Sequence, residues 1–188
     1  MNKIFYHGSI KDNLTQLDII SKCNEEPEKK CAYITDNYYY ALFYLRNLDI
    51  NVVTAWVDED NIVHYEEQFK NQLKVIYNKT QGFVYSCKEK NFTKSKNGIF
   101  YSLTPINLDQ KLFIKNVYNE ITLGINNKKI IVTKFDDASP ERLKMLYMAI
   151  AQKILQYNFF QNNRNKQKFY KKYYHIAWKL ALNLKKSK

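Results

Sequence analysis

A change of texture at residue 139 constrains this chain more than any other feature. Before it, apolar residues come in short runs rich in Tyr, Phe, Ile and Val, the pattern of strands. After it, they recur at helical spacing. Ser139-Pro140-Glu141 marks the switch: a capping hydroxyl, a proline for the first turn and an acid near the positive end of the helix dipole. Strands followed by helices, without regular alternation, predict an α+β fold. We expect a small β-rich body over residues 1–136. A C-terminal helical hairpin over 139–188, packed on that body, should follow it.

Within the body, "KIFYHG" reads as a first strand ending at Gly8 and "LTQLDII" as a short helix or turn. "CAYIT" reads as a second strand. Thr35-Asp36-Asn37 then offers caps for a helix from Tyr38 to Leu48, with Ala41, Tyr44 and Leu45 on one face. "NVVTAWV" and "NIVHYEE" flank the turn signal Asp58-Glu59-Asp60-Asn61 and predict a hairpin. "FKNQLKVIY" predicts a helix of two turns. "GFVYSC", "GIFYSL", "KLFIK" and "KKIIVTKF" are β runs, while "VYNEITLGI" fits strand or helix equally well. In the hairpin, Leu143, Leu146, Tyr147, Ile150, Ile154 and Tyr157 form one stripe. "NNRN" breaks it, and Phe169, Tyr173, Ile176, Leu180 and Leu184 form a second.

Several function classes find no support. The four glycines, Gly8, Gly82, Gly98 and Gly124, are too far apart for a Gly-rich phosphate loop, so neither a Rossmann nor a P-loop site is expected. Three separated histidines form no metal motif, and no metal is expected. Three cysteines without C-x-x-C spacing argue against a disulfide framework and for a reducing, cytoplasmic setting. No leader or membrane span is read from the sequence. The preference for Lys, Asn, Ile and Tyr suits an AT-rich bacterial or viral genome.

The informative pair is "FYHGS" at Phe5–Ser9 and "AYITDNYYYALFY" at Ala32–Tyr44. Together they resemble the ADP-ribosyltransferase superfamily of the His-Tyr-Glu type, which holds diphtheria toxin and the poly-ADP-ribose polymerases. There, a first strand ends in an aromatic-His-Gly-Ser/Thr motif. A second strand carries a Tyr, and the following helix carries another. The matching positions here are His7-Gly8-Ser9, Tyr33, Thr35, Asp36, Asn37, Ala41 and Tyr44. The resemblance covers about forty residues closely.

The resemblance implies a split β-sheet core with short helices and NAD as a substrate, with no metal. His7 would hydrogen-bond the adenosine ribose, and Gly8 would offer its backbone to the nicotinamide carboxamide. Tyr33 and Tyr44 would sandwich the nicotinamide ring, with Ser9 and Thr35 completing the cofactor-binding set. Catalysis would fall to Glu120 together with His7 and Tyr33, because losing nicotinamide leaves an oxocarbenium-like ribose that wants a nearby carboxylate. Glu120 in "VYNEITL" is the first choice. A rival register makes "GIFYSL" the family's late strand, which opens with Ile99 and would leave the site without its acid. Glu66 and Glu67 are weaker substitutes.

The net charge of +12 is uneven. Residues 164–188 hold nine Lys and Arg and no acid, so the rest is nearly neutral. Arg164, Lys166, Lys168, Lys171, Lys172, Lys179 and Lys185 suit a nucleic acid, an acidic protein or a solvated face. The first functional expectation is an NAD-dependent mono-ADP-ribosyltransferase, toxin-like or from a phage conflict. The alternatives are a catalytically degenerate member of the same fold that binds a nucleotide or partner, and an unrelated nucleic-acid-binding α+β domain.

Overall fold

A computed structural model describes residues 3–46, 53–88, 91–161 and 164–186. The fold is α+β. Two compact units divide it: Met1–Asn47, Ala55–Tyr65 and Leu73–Val132 form the first, and Leu48–Thr54, Glu66–Gln72 and Thr133–Lys188 the second. Among the described residues, no helix is long and apolar enough to cross a membrane.

In chain order the elements open with β1 (Phe5–Ser9), β2 (Gln16–Leu17), β3 (Ser21–Lys22), β4 (Lys30–Thr35) and α1 (Tyr38–Leu42). They continue with β5 (Thr54–Val57), β6 (Val63–Glu66), α2 (Gln72–Tyr77), β7 (Gly82–Cys87), β8 (Thr93–Lys94) and β9 (Ile99–Ser102). Then come β10 (Ile106–Asn107), β11 (Gln110–Ile114), α3 (Val117–Asn126) and β12 (Ile130–Thr133). Three helices follow: α4 (Pro140–Gln156), α5 (Arg164–Tyr173) and α6 (His175–Lys186).

The main sheet runs β11-β7-β1-β4-β9-β8, with β3 added on β4, and every pairing of known register is antiparallel. Phe5, Leu17, Ala32, Ile34, Cys87, Phe100 and Ile106 are buried together on one side of it. Phe5 packs edge-on against Phe92 and Phe100, with centroids 4.7 and 5.1 Å apart. A second sheet orders β12-β6-β5. The turn expected at Asp58–Asn61 is present. Asp58 accepts from the amides of Asp60 and Ile62, and Asn61 takes a positive φ of 60°.

Three expectations change. "LTQLDII" is neither helix nor turn alone, because Gln16–Leu17 pairs with Ile106–Asn107 from far along the chain. "VYNEITLGI" is a helix. Asn116 caps it by accepting from the Asn119 amide at 3.1 Å, and Val117, Ile121 and Gly124 face inward at i, i+4 and i+7. A Cβ on Gly124 would lie 2.6 Å from Ile130 Cδ1 and 2.7 Å from the Tyr39 ring, so glycine permits that close packing. The α1 helix is shorter than expected and tightens at its end through i→i+3 bonds, from the Tyr44 amide to Ala41 and from the Leu45 amide to Leu42. The expected end at Leu48 and the opening of the run at Asn51 lie outside the described residues. So do Asn162, Asn163 and Lys188.

The second unit centres on α4–α6. Ser139 caps α4, accepting from the Arg142 amide at 3.2 Å. Leu146, Ile150 and Ile154 are buried as expected, whereas Tyr157 is 54% exposed. The second expected helix bends at Tyr174 and is therefore two. Its buried face also lies one step from the expected stripe: Tyr170, Tyr174, Ala177, Trp178 and Ala181 are inside, and Ile176 is 37% exposed. Ala151, Ala177 and Ala181 are fully buried in this cluster, where small side chains let helices approach closely. The hydroxyl of Tyr174 accepts from Gln72 Nε2 at 2.9 Å inside it.

Candidate functional site

The first unit is split beside β1. On one side β1 pairs with β7 through five residues, from Phe5↔Cys87 to Ser9↔Phe83. On the other side its register with β4 is a single pair, Tyr6↔Thr35. Beyond that pair, His7 Nδ1 lies 3.1 Å from the backbone oxygen of Tyr33. A carbonyl only accepts, so Nδ1 carries the proton and donates, which leaves Nε2 as the acceptor. Burial pushes the imidazole below its ordinary pKa, and the bond to Tyr33 works against that shift. His7 is therefore a neutral ring at pH 7.

Helix α1 closes over this opening. Asn37 Oδ1 accepts from the Tyr40 amide at 2.9 Å, and its Nδ2 donates to the Asn61 backbone oxygen at 2.8 Å. The helix then lies directly on Gly8. A Cβ there would sit 2.0 Å from the Ala41 carbonyl oxygen and 3.3 Å from Tyr44 Cβ. Gly8 is thus required by helix packing, whatever it also offers a ligand.

Between these elements lies a slot of ≈ 40 Å³ walled by His7, Gly8, Tyr33, Thr35 and Tyr44. Tyr6, Ile34, Tyr40 and Ile99 complete its lining. Tyr33 is pinned through its hydroxyl, which accepts from the Asn24 amide at 2.7 Å and donates to the Lys22 oxygen at 3.3 Å. Burial raises its phenol pKa, so it stays un-ionised. Tyr44 is the looser wall, 37% exposed and edge-on to Tyr40 at 5.6 Å. The Arg46 guanidinium sits 5.5 Å over its ring.

Thr35 serves the scaffold. Its hydroxyl donates to the Gly98 oxygen at 2.7 Å and accepts from the Asn37 amide at 3.2 Å. Gly98 has φ +75°, and a Cβ there would meet Val57 at 2.5 Å. This junction fixes the start of β9, and β9 pairs with β4 so that Ile99 stands opposite Thr35. Ile99 thereby reaches the slot.

The remaining expected residues lie elsewhere. Ser9 ends β1, outside the slot lining, and its Oγ accepts from the Lys11 amide at 3.2 Å. Glu120 sits on α3 in a separate groove with Tyr38, Lys115, Asn116 and Asn119, and accepts from the Tyr38 hydroxyl at 3.0 Å. Burial, and then the charge of Glu120, push the Tyr38 pKa up. The Tyr38 ring meets the slot-lining Tyr6 edge-on at 5.8 Å. Glu66 belongs to the second unit, where Arg142 grips both its oxygens, Nε at 2.7 Å and Nη2 closer still. Glu67 accepts from the Phe135 amide at 3.5 Å in the same unit. None of the slot-lining residues named above carries a carboxylate.

Tyr6, Ile34 and Tyr40 line the slot without belonging to the expected set. The signal for Tyr40 is its place one helical turn before Tyr44. Tyr6 and Ile34 have no local signal, because they reach the slot only through the meeting of β1 and β4, which are distant in the chain. Among the described residues, no group of three or more His, Cys, Asp or Glu is placed to hold a metal. Compared with known proteins, the chain matches no family model, no curated protein and no solved structure.

Proposed function

We propose that the slot receives the nicotinamide end of NAD on an ADP-ribosyltransferase-type core, and that the protein is an NAD-dependent mono-ADP-ribosyltransferase. One observation carries this reading. His7, Gly8, Tyr33, Thr35 and Tyr44, separated in sequence and matched by motif, wall a single slot. In this reading the acceptor at His7 Nε2 takes a ribose hydroxyl. The ring lies between the pinned Tyr33 and the movable Tyr44. A cavity of ≈ 40 Å³ holds a few waters and no ring, so binding requires Tyr44 to swing outward.

In the transfer, the bond between ribose C1′ and the nicotinamide nitrogen breaks, and nicotinamide leaves with the electron pair. A nucleophilic oxygen or nitrogen of the acceptor bonds C1′ and gives up its proton. The transferase reading assigns the carboxylate's work to Glu120, linked to the slot through Tyr38 and Tyr6. A second reading, NAD binding with little turnover, is favoured by Ile99 standing on the slot where the rival register puts the acid.

Calorimetry with NAD and an assay for free nicotinamide test both on the full chain. Binding heat with nicotinamide release that Glu120→Gln lowers at least tenfold supports transfer. Binding without release supports the second reading. No binding heat at millimolar NAD sinks both.

A further inference from the structure

The second unit holds its own cleft, of ≈ 240 Å³, framed by Phe135, Tyr147, Tyr173 and Ile176. Lys70, Lys172 and His175 stand at its edge. The cleft is smaller than the roughly 300–1,000 Å³ a drug-sized ligand occupies. That size suits one planar base with its sugar and phosphate left outside. The ring of Tyr173 is backed by Phe69, stacked at 4.6 Å, and by Phe169 at 4.8 Å, so it presents a stiff face. Tyr147 and Phe135 are only partly buried.

Charge beside the cleft is arranged in a row. Arg164, Lys168, Lys172 and Lys179 follow one another at i+4, i+4 and i+7 along α5 and α6, and all four are exposed. At the helical rise this row spans on the order of 20 Å. Residues 164–188 contain no acid to neutralise it. Cations and rings also interleave: Lys166 lies 4.8 Å from the Phe159 ring, Lys171 5.4 Å from Trp178, Lys172 5.0 Å from Tyr173 and Lys185 5.2 Å from Phe160. A merely solvated cationic face needs no ring-walled cleft beside it. A duplex would use the charges alone and keep its bases stacked away from the cleft. Single-stranded nucleic acid uses both features, because unpaired bases stack on aromatic side chains while phosphates follow the cations.

We propose that this unit binds single-stranded DNA or RNA, with phosphates along Arg164, Lys168, Lys172 and Lys179 and one base stacked in the cleft on Tyr173 or Tyr147. The proposal does not rest on the NAD reading, since every residue in it belongs to the second unit.

Fluorescence anisotropy of the full chain tests it, with a labelled mixed-sequence 15-nucleotide DNA, its RNA counterpart and the DNA duplex, at several salt concentrations. We expect single strands of one or both kinds to bind at least tenfold tighter than the duplex. Lys168→Gln and Lys172→Gln should each lower the slope of log affinity against log salt by about 0.7. Tyr147→Ala should weaken single-strand binding at least fivefold without changing that slope, as loss of one stacking contact does. Tyr173→Ala should act likewise, Tyr173→Phe should restore binding, and circular dichroism confirms that each variant is folded. Duplex bound as tightly as single strands overturns the proposal. So does indifference of a folded Tyr147→Ala variant together with a folded Tyr173→Ala variant, or polyglutamate competing as well as the oligonucleotide. Absence of binding at 50 mM salt overturns it outright.

Discussion

His7 donates from Nδ1 to the backbone oxygen of Tyr33 at 3.1 Å, across the place where β1 and β4 cease to pair. A side chain thus stands in for a ladder bond at the mouth of the slot. The bond fixes the imidazole tautomer and ties the two motif-bearing strands together.

This half-buried histidine predicts a pH dependence. Its folded pKa lies below the ordinary 6.5, so between the two values the unfolded chain binds more protons. The stabilising contribution is complete above 6.5 and is lost as pH falls below it. Urea unfolding at pH 7.5 and 5.5 should show His7→Gln losing less stability over that interval than the native chain. Equal losses would remove His7 as the cause.

Gly8→Ala should destabilise the protein, because its Cβ would press on the Ala41 carbonyl at 2.0 Å. Either α1 moves or β1 does. Overpacking of this kind costs about 1–3 kcal/mol, measurable as a lower midpoint in urea. NAD binding heat should vanish in the same variant, since Tyr44 rides on the displaced segment.

Tyr44 contributes a face, so Tyr44→Phe should keep NAD affinity and Tyr44→Ala should lower it. A stacked ring is worth about 0.5–1.5 kcal/mol, or roughly 2- to 12-fold in Kd. Its partial exposure keeps the fold safe from this change. Unaltered calorimetric affinity in Tyr44→Ala would mean the ring does not touch the ligand.

On the second reading, in which the slot lacks its acid, Ile99→Glu should raise nicotinamide release at least tenfold, because a carboxylate placed there would face positive charge developing on the ribose. Ile99 is only partly buried, and the Thr35–Gly98 bond fixes its backbone independently of its side chain. A variant that binds NAD normally and releases no more nicotinamide would rule out this position for the acid.

Much of the candidate site was legible because its signals are local. His7-Gly8, Tyr33, Thr35 and Tyr44 sit in two short motifs, and a strand end or helix cap is written within a few residues. Asn37 and Ser139 cap the helices expected of them for that reason. The destination of Glu120 was not legible. Its segment satisfies strand and helix patterns alike, and the inward face of Val117, Ile121 and Gly124 selects the helix.

The sequence by itself determined the α+β class, the change from strands to helices at residue 139, the capped starts at Asn37 and Ser139 and the basic C-terminal segment, all of which follow from periodicity and neighbouring residues. Only the tertiary structure decided where the sheet parts, which wall Ile99 occupies and that Tyr170, Tyr174 and Ala177 form the inner face of the last helices. Those outcomes depend on residues distant in the chain meeting at ångström separations. Competing arrangements differ there by packing and strand pairing, which no short stretch of sequence specifies alone.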